Sequence, residues 1–461
     1  MSEDQKRILE GKLWAIADLL RGKISPDDYR DYILGFIFFK YLSEKQLLYA
    51  NELLQGEAVT DYQQVTDKET LDAIEEESLL KLGYFLKPNE LFSVIVAKGN
   101  ANTEAESNYI IDDLQEVMNH IEQSTMGTES EDDFNALFED IDLNSTKIGR
   151  TASARNAIIV QILNYLNDID FRLSEINSDV LGDAYEYLIA NFAGDAGKKA
   201  GEFFTPSEVS TLLAKLTKSK PGARICDPTC GSGSLLIKAG REVGSNNFSL
   251  YGQEANGSTW ALAVMNMFLH GFDNSTIRWG DTIRNPKLKE GDTLMKFDTV
   301  VANPPFSLDK WGKVEDKEGD KTTISYDPET DKYNRFWRGV PPKSKGDWAF
   351  ISHMIETLNE HGKAGVVVPH GVLFRGSSEG RIRQRTTEEN LLEAVIGLPA
   401  NLFFGTGIPA AILVFNKQKT SNNFLFIDAS KHYESAKNQN KLRDTDIEHI
   451  VTTYRDFAAG K

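Results

Sequence analysis

From about residue 222 onward, short β-rich runs alternate with helical patterns, and no other feature of this 461-residue chain constrains its fold as tightly. The runs are ARICDPT, SLYGQEA, TIRWGDT, FDTVVANP, GKAGVVVPHG, LEAVIGLP and AAILVFNK. Helical stretches such as TWALAVMNMFLHG and DWAFISHMIETLN separate several of them. Strands alternating with crossovers predict an α/β domain on a largely parallel sheet. In such sheets ligands lie outside the carboxyl ends of the strands. The residues that close each strand are therefore the first candidates for function.

The first strand closes on Asp227, followed by Pro228-Thr229-Cys230-Gly231-Ser232-Gly233-Ser234 and a helical LLIKAGREV. Glycines let backbone approach a ligand and turn sharply into a helix. A tight strand-to-helix turn explains the same residues. The stretch is neither a GxxxxGK[ST] phosphate loop nor GxGxxG, which favours a nucleotide-like ligand without a pyrophosphate. The second strand closes on Glu254, suited to accept both hydroxyls of a ribose. The third closes on Gly280-Asp281, where the carboxylate suits an adenine amino group. These successive ligand-type strand ends predict an adenosine cofactor. The fourth closes on Asn303-Pro304-Pro305-Phe306. The Asn303 carboxamide oxygen and the Pro304 carbonyl are acceptors fixed close together by a proline-stiffened turn, which suits an exocyclic amino group. Phe306 offers a flat surface for a base.

Residues 1–170 predict an all-α N-terminal domain, with apolar residues at helical spacing in LWAIADLL, YRDYILGFIFFKYLSEKQLL and NYIIDDLQEVMNHIEQ. A further helix is expected over 181–193, then a Gly-rich connector over 194–204. Net charge is −18, and residues 1–150 hold 31 Asp+Glu against 14 Lys+Arg. Solvated helix faces account for this, or a surface for a basic partner. The acidic total argues against strong autonomous DNA binding, but not against a DNA enzyme whose affinity comes from a partner. No apolar run reaches the ~18 residues of a membrane span, and the N-terminus is too polar for a signal peptide. With only Cys226 and Cys230, a reducing cytoplasm is the expected location. No His or Cys cluster accompanies them, so no metal is expected.

Taken in order, DPTCGSG, YGQE, GD and NPPF resemble the motifs of class I S-adenosylmethionine-dependent methyltransferases, specifically the amino-methyltransferases of DNA. GEFFTP at 201–206 resembles the cofactor motif that precedes the first strand in the N6-adenine group. There Thr205-Pro206-Ser207-Glu208 reads as a capping box, with Thr205 as N-cap of the helix VSTLLAKL. Its N-terminus suits a carboxylate, and Phe203 and Phe204 suit the apolar chain of the cofactor. The resemblance implies cofactor contacts for Glu202, Phe203, Phe204, Thr205, Pro206, Ser207, Asp227, Gly231, Ser232, Gly233, Ser234, Glu254 and Asp281. It assigns catalysis to Asn303, Pro304, Pro305 and Phe306.

The stretches NPPFSLDKW, RGVPPKSKGDWAFI, VVVPHGVLFRG and LPANLFFGTGIPAAILVFNK narrow the resemblance to the modification (M) subunit of type I restriction–modification systems. It covers essentially the whole chain. It implies a Rossmann-like sheet over 171–430 and adenine N6 methylation with S-adenosylmethionine. The implied partners are double-stranded DNA with a flipped adenine, a specificity (S) subunit, a restriction (R) subunit and a second M subunit. Members often continue beyond a stretch resembling EHIVTTYRDF, so the C-terminal helical segment 431–461 is expected to be truncated, lacking part of such an extension.

Residues 307–346 predict a long DNA-proximal loop. Its later part mixes basic and aromatic residues, which suits phosphate contact and base stacking. Lys332, Arg335, Trp337, Arg338, Lys343 and Lys345 are the DNA-binding candidates. The 44 residues after Lys417 are too few to read a DNA site, so target recognition is assigned to a separate subunit. The stripe Ile447, Ile450, Val451, Tyr454, Phe457 fits docking of that partner or packing on its own domain. Protein glutamine methylation, cytosine N4 methylation and a non-catalytic cofactor-binding scaffold are the rival readings.

Overall fold

The computed structural model describes residues 10–16, 26–101, 108–171, 173, 180–196, 204–318, 321–403, 406–436 and 439–460. The chain divides into two compact units, Met1–Asp195 with Phe268–Gly271, and Ala196–Met267 with Phe272–Lys461.

The first unit is helical. Its described helices include α1 (Pro26–Leu53), α2 (Lys68–Lys81), α3 (Phe92–Gly99), α4 (Ile111–Ser124), α5 (Ala152–Asn167) and α6 (Val180–Ala196). The ILGFIFF run lies inside α1, where Ile33, Leu34, Phe36, Ile37, Phe38 and Phe39 are all fully buried. A helix apolar on all sides belongs in a core. By contrast α4 buries one stripe, Ile111, Leu114, Val117, Met118 and Ile121, and turns Asp112 and Glu116 to solvent. Asp67 and Thr151 cap α2 and α5 by accepting the amides of Thr70 and Ala154.

The second unit is built on an eight-stranded sheet. In chain order its elements are α7 (Ser207–Leu216), β1 (Ala223–Asp227), α8 (Ser234–Glu242), β2 (Phe248–Glu254), α9 (Gly257–Leu269), β3 (Thr276–Trp279) and β4 (Phe297–Ala302). A hairpin of β5 (Val314–Glu318) and β6 (Lys321–Tyr326) follows, apart from the main sheet. Then come α10 (Asp347–Thr357), β7 (Leu358–Pro369), α11 (Ser377–Glu388), β8 (Leu392–Gly397), β9 (Ala410–Asn416), β10 (Leu425–Asp428) and α12 (Asp444–Ala458).

The sheet order is β10-β8-β9-β7-β4-β1-β2-β3. Every pairing from β7 through β4, β1 and β2 to β3 is parallel, while β9 runs antiparallel to β7 and β8. The central strands β1 and β4 are covered on both faces. Val300, Val301 and Ala302 of β4 and Ile225 of β1 are fully buried, which is why these runs read as continuous rather than alternating apolar segments. The chain leaves β1 toward β2 and β3, then returns to the other side of β1 at β4. The carboxyl ends of β1 and β4 therefore flank a topological switch point.

Two sequence expectations change here, and one open alternative is decided. Residues 307–346 are not a structureless loop, because they contain the β5–β6 hairpin and a 3-10 turn at Pro328–Thr330. Thr205 is not the cap of α7, whose N-cap position is Pro206 with no side-chain bond. The α12 stripe packs on its own domain: Ile447, Ile450, Val451 and Tyr454 are buried, and the Tyr454 hydroxyl lies 2.6 Å from Lys363 Nζ of β7. Among the described residues no helix is long and apolar enough to cross a membrane.

Candidate active site

At the end of β1 the chain turns through Gly231 (φ 54°) and Gly233 (φ 80°), both left-handed. The left-handed conformation of Gly233 demands glycine there, and a Cβ at that position would also press on Met267 Cε at 2.7 Å, the movable end of its side chain. The turn is tied to β2 and α9. Cys230 donates its amide to the Gln253 carbonyl at 3.0 Å, and Asn266 Nδ2 donates to the Ser232 carbonyl at 2.9 Å. Asp227 is buried beneath it and accepts the Thr229 amide at 2.9 Å. Burial, reinforced by the nearby Glu254 charge, pushes the Asp227 carboxyl up to about 8.

Glu254 closes β2 and accepts two backbone amides, Gly231 at 3.0 Å and Asn256 at 2.8 Å. Burial raises its pKa against these bonds. Asp281, after β3, accepts the amides of Ile283 (2.8 Å) and Arg284 (2.9 Å) through Oδ1. At the end of β4, Asn303 Nδ2 donates to Thr205 Oγ1 at 3.1 Å. The Asn303 Oδ1 atom is buried and accepts no bond from any described residue. A buried acceptor left open is costly unless something fills it. Beyond it, Phe306 meets the edge of Phe403, ring centroids 5.8 Å apart. Ser307 adopts φ 54°, and its amide donates to Asp347 Oδ1 at 2.8 Å.

Glu254, Asp281, Asn303 and Pro305 converge on one cleft of about 300 Å³. Sequence reasoning missed other wall residues, including Asn256, Ile283, Leu308, Trp311 and Phe350. Asn256 and Ile283 had only their position shortly after a strand end as a signal, whereas Leu308, Trp311 and Phe350 lay in the quoted NPPFSLDKW and RGVPPKSKGDWAFI stretches. Asp227, Gly231, Ser232, Gly233 and Ser234 form the supporting turn rather than the cleft wall. Thr205 reaches the site through Asn303, Phe204 and Pro206 are buried beside it in sequence, and Ser207 is exposed at the start of α7. Pro304 is buried. Glu202 and Phe203 lie outside the described residues.

The DNA-binding candidates separate into two groups. Arg335 and Arg338 are 0% and 3% exposed, so neither presents a charge to a phosphate. Arg335 bonds Asp331, and Arg338 grips Glu389 through Nε (2.6 Å) and Nη2 (2.7 Å) and Glu356 through Nη1 (2.6 Å). Their basic character is consumed inside the fold, because a buried guanidinium must be paired. Trp337 and Lys343 are exposed and Lys345 is half-buried. Lys332 is exposed but paired with Asp292 at 2.9 Å.

A parallel sheet with an adenosine-sized cleft at its switch point, an anchored acid at the end of β2 and an Asn-Pro-Pro-Phe turn at the end of β4 define a class I S-adenosylmethionine-dependent methyltransferase. The residues fit that cofactor: the Glu254 and Asp281 carboxylates and the open Asn303 oxygen line one cleft, which suits hydroxyl and amino donors. Comparison with known proteins specifies the class. The N-6 DNA Methylase family model matches residues 176–461, and the HsdM N-terminal domain model matches residues 9–166. The MpnII type I restriction enzyme methylase subunit of Mycoplasma pneumoniae is 34% identical, over 98% of this chain and 84% of its own length. The MjaVIII methylase subunit of Methanocaldococcus jannaschii is 34% identical, over 97% of this chain and 73% of its own. The solved structure of a type I restriction–modification methyltransferase subunit from Streptococcus thermophilus superposes with a TM-score of 0.83 at 36% identity, covering 98% of this chain and 93% of that one. The chain belongs to the N-6 DNA methylase family, as a type I restriction–modification methylase subunit, and is an adenine-specific DNA methyltransferase. Glutamine and cytosine N4 methylation are thereby set aside.

Proposed function

We propose that the cleft holds the adenosine part of S-adenosylmethionine, that a flipped adenine meets the cofactor at Asn303, and that Asn303 carries the methyl transfer. The supporting observation is the open Asn303 Oδ1, buried in the cleft wall while Nδ2 is held by Thr205. Fixing the amide nitrogen aims the oxygen, so the acceptor is organised before substrate arrives. In this reading Oδ1 and the Pro304 carbonyl accept from the N6 hydrogens of adenine, and Phe306 stacks on the base. Withdrawal of those hydrogens into acceptors raises electron density on nitrogen and points its lone pair along the line of transfer. Glu254 takes the ribose hydroxyls and Asp281 the adenine amino group of the cofactor. The Gly231–Ser234 turn and the residues from Phe204 to Ser207 hold its methionine part. The cofactor supplies a methyl group on a positively charged sulfur. Alignment across the cleft supplies most of the acceleration, and the nitrogen's proton passes to water without a dedicated base.

The enzyme works, in this reading, on double-stranded DNA within an assembly of a specificity subunit, a restriction subunit and a second methylase subunit. The specificity subunit reads the target. The Asn303→Ala variant, assembled with its partners, is expected to lose transfer of labelled methyl groups to DNA while binding cofactor normally. Transfer near the wild-type rate would remove Asn303 from the mechanism.

A further inference from the structure

Arg335 is the largest fully buried side chain of the described residues, and its bonds converge on the cofactor turn. Nη1 donates to the Thr282 carbonyl at 3.1 Å, and Nη2 donates to the Ile283 carbonyl at 2.5 Å. Nε donates to Asp331 Oδ2 at 3.0 Å, and Nη1 lies 3.2 Å from His353 Nδ1. Burial first, and then the adjacent Arg335 charge, hold the His353 pKa well below its usual range. His353 is thus neutral and its Nδ1 accepts from the guanidinium.

Thr282 and Ile283 directly follow Asp281. The Thr282 hydroxyl donates to the Pro228 carbonyl at 2.5 Å, and the Ile283 amide donates to Asp281 Oδ1 at 2.8 Å. The turn is therefore held on one side by its own carboxylate and by the β1 end. On the other side it is held by one guanidinium that grips successive carbonyls. Ile283 also packs with Trp311, Phe336 and Phe350 in a small apolar cluster beside the cleft. A planar fork reaches both carbonyls and a carboxylate at once, which an ammonium does not.

We propose that Arg335 is a positioning residue for the cofactor: it fixes the Thr282–Ile283 backbone so that the Asp281 carboxylate faces the adenine amino group. This rests on the reading of the cleft given above. The segment that leaves the Asn-Pro-Pro-Phe motif thereby returns to build the far wall of the cofactor site, and the Arg335 charge serves the protein rather than DNA.

The test uses the full chain, with cofactor affinity measured by calorimetry and steady-state constants measured on the assembled enzyme. Arg335→Lys is expected to raise the dissociation constant for S-adenosylmethionine about tenfold, because bidentate geometry is lost while charge is kept. The KM for cofactor rises with it and the KM for DNA does not. Asp281→Ala weakens cofactor binding similarly, and the double variant binds no worse than Asp281→Ala alone, since both act through one contact. An additive loss, or an Arg335→Lys affinity within twofold of wild type, overturns the proposal, even if melting temperature falls. A rise confined to the KM for DNA returns Arg335 to DNA contact and overturns it as well. An unchanged affinity in Asp281→Ala overturns the reading of the cleft at its adenine end, and this proposal with it. Should Arg335→Lys fail to fold, Asp331→Asn loosens the same guanidinium and carries the same expectations.

Discussion

The Ser307 amide donates to Asp347 Oδ1 at 2.8 Å, and this bond closes the turn that begins at Asn303. Ser307 sits at φ 54°, a conformation a non-glycine residue keeps only where its surroundings hold it. Asp347 is buried at the start of α10, and its other oxygen is paired with Arg375. Asp347→Ala is expected to lower kcat on the order of 10- to 100-fold by letting the catalytic turn relax. Cofactor affinity is expected to stay near wild type, because neither residue lies in the contacts around Glu254 or Asp281. Calorimetry beside single-turnover methylation separates the effects, and an equal loss in both would assign Asp347 to the fold as a whole.

Thr205 yields a sharper prediction. Its hydroxyl is the acceptor that holds the Asn303 amide nitrogen. Thr205→Val keeps the shape and removes that acceptor, leaving the amide free to rotate. The expected outcome is a kcat about tenfold lower, consistent with the loss of one aligned hydrogen bond. Thr205→Ser, which retains the hydroxyl, is expected to restore most of the rate. Failure of the serine variant to do so would show that the methyl group, not the hydroxyl, is what Asn303 needs.

Strand ends were the legible part of this chain. Asp227, Glu254, Asp281 and Asn303 each close a β-rich run, continuous and apolar only before Asn303, and the ligand position in such sheets follows from topology. What sequence did not reveal was pairing across distance. Thr205 fits a capping box in sequence, and only the fold brings Asn303 to its hydroxyl, 98 residues on. Arg335 and Arg338 carry the charge pattern of a nucleic-acid loop. Asp331 lies four residues from Arg335 and within reach of a local window, but burial also depends on Glu356, Glu389 and the carbonyls of a turn far upstream, which no local window weighs. The α12 stripe had a period but no address, since amphipathicity says that a face is covered and not by what.

The division among the basic residues of 331–346 is testable. Lys343→Glu with Lys345→Glu is expected to weaken DNA binding by the assembled enzyme and to flatten its dependence on salt, as loss of phosphate contacts does. Arg338→Glu is expected to act on stability instead, since it places a carboxylate beside Glu356 and Glu389 in a site that is 3% exposed. Breaking a buried pair of this kind costs ~3–5 kcal/mol. Denaturant titration and DNA binding at two salt concentrations distinguish the cases. A stable Arg338→Glu protein with weakened DNA affinity would reverse the assignment.

Asp227 gives the chain a pH dependence of defined sign. Its carboxyl is raised from 3.8 to about 8, chiefly by burial and further by Glu254. The folded state therefore keeps a proton that the unfolded chain releases, and stability falls as pH rises through that window. Each unit of difference corresponds to ~1.4 kcal/mol. Asp227→Asn is neutral at every pH and retains an oxygen for the Thr229 amide. Its stability relative to wild type is expected to grow from acid toward pH 8 and to level off above it, where both states of the wild-type chain are ionised. Urea midpoints of the cofactor-free protein at about pH 5.5 and about pH 8 measure the gap. A gap of the same size at both would mean that Asp227 is charged in the folded chain throughout, held by a partner stronger than the Thr229 amide.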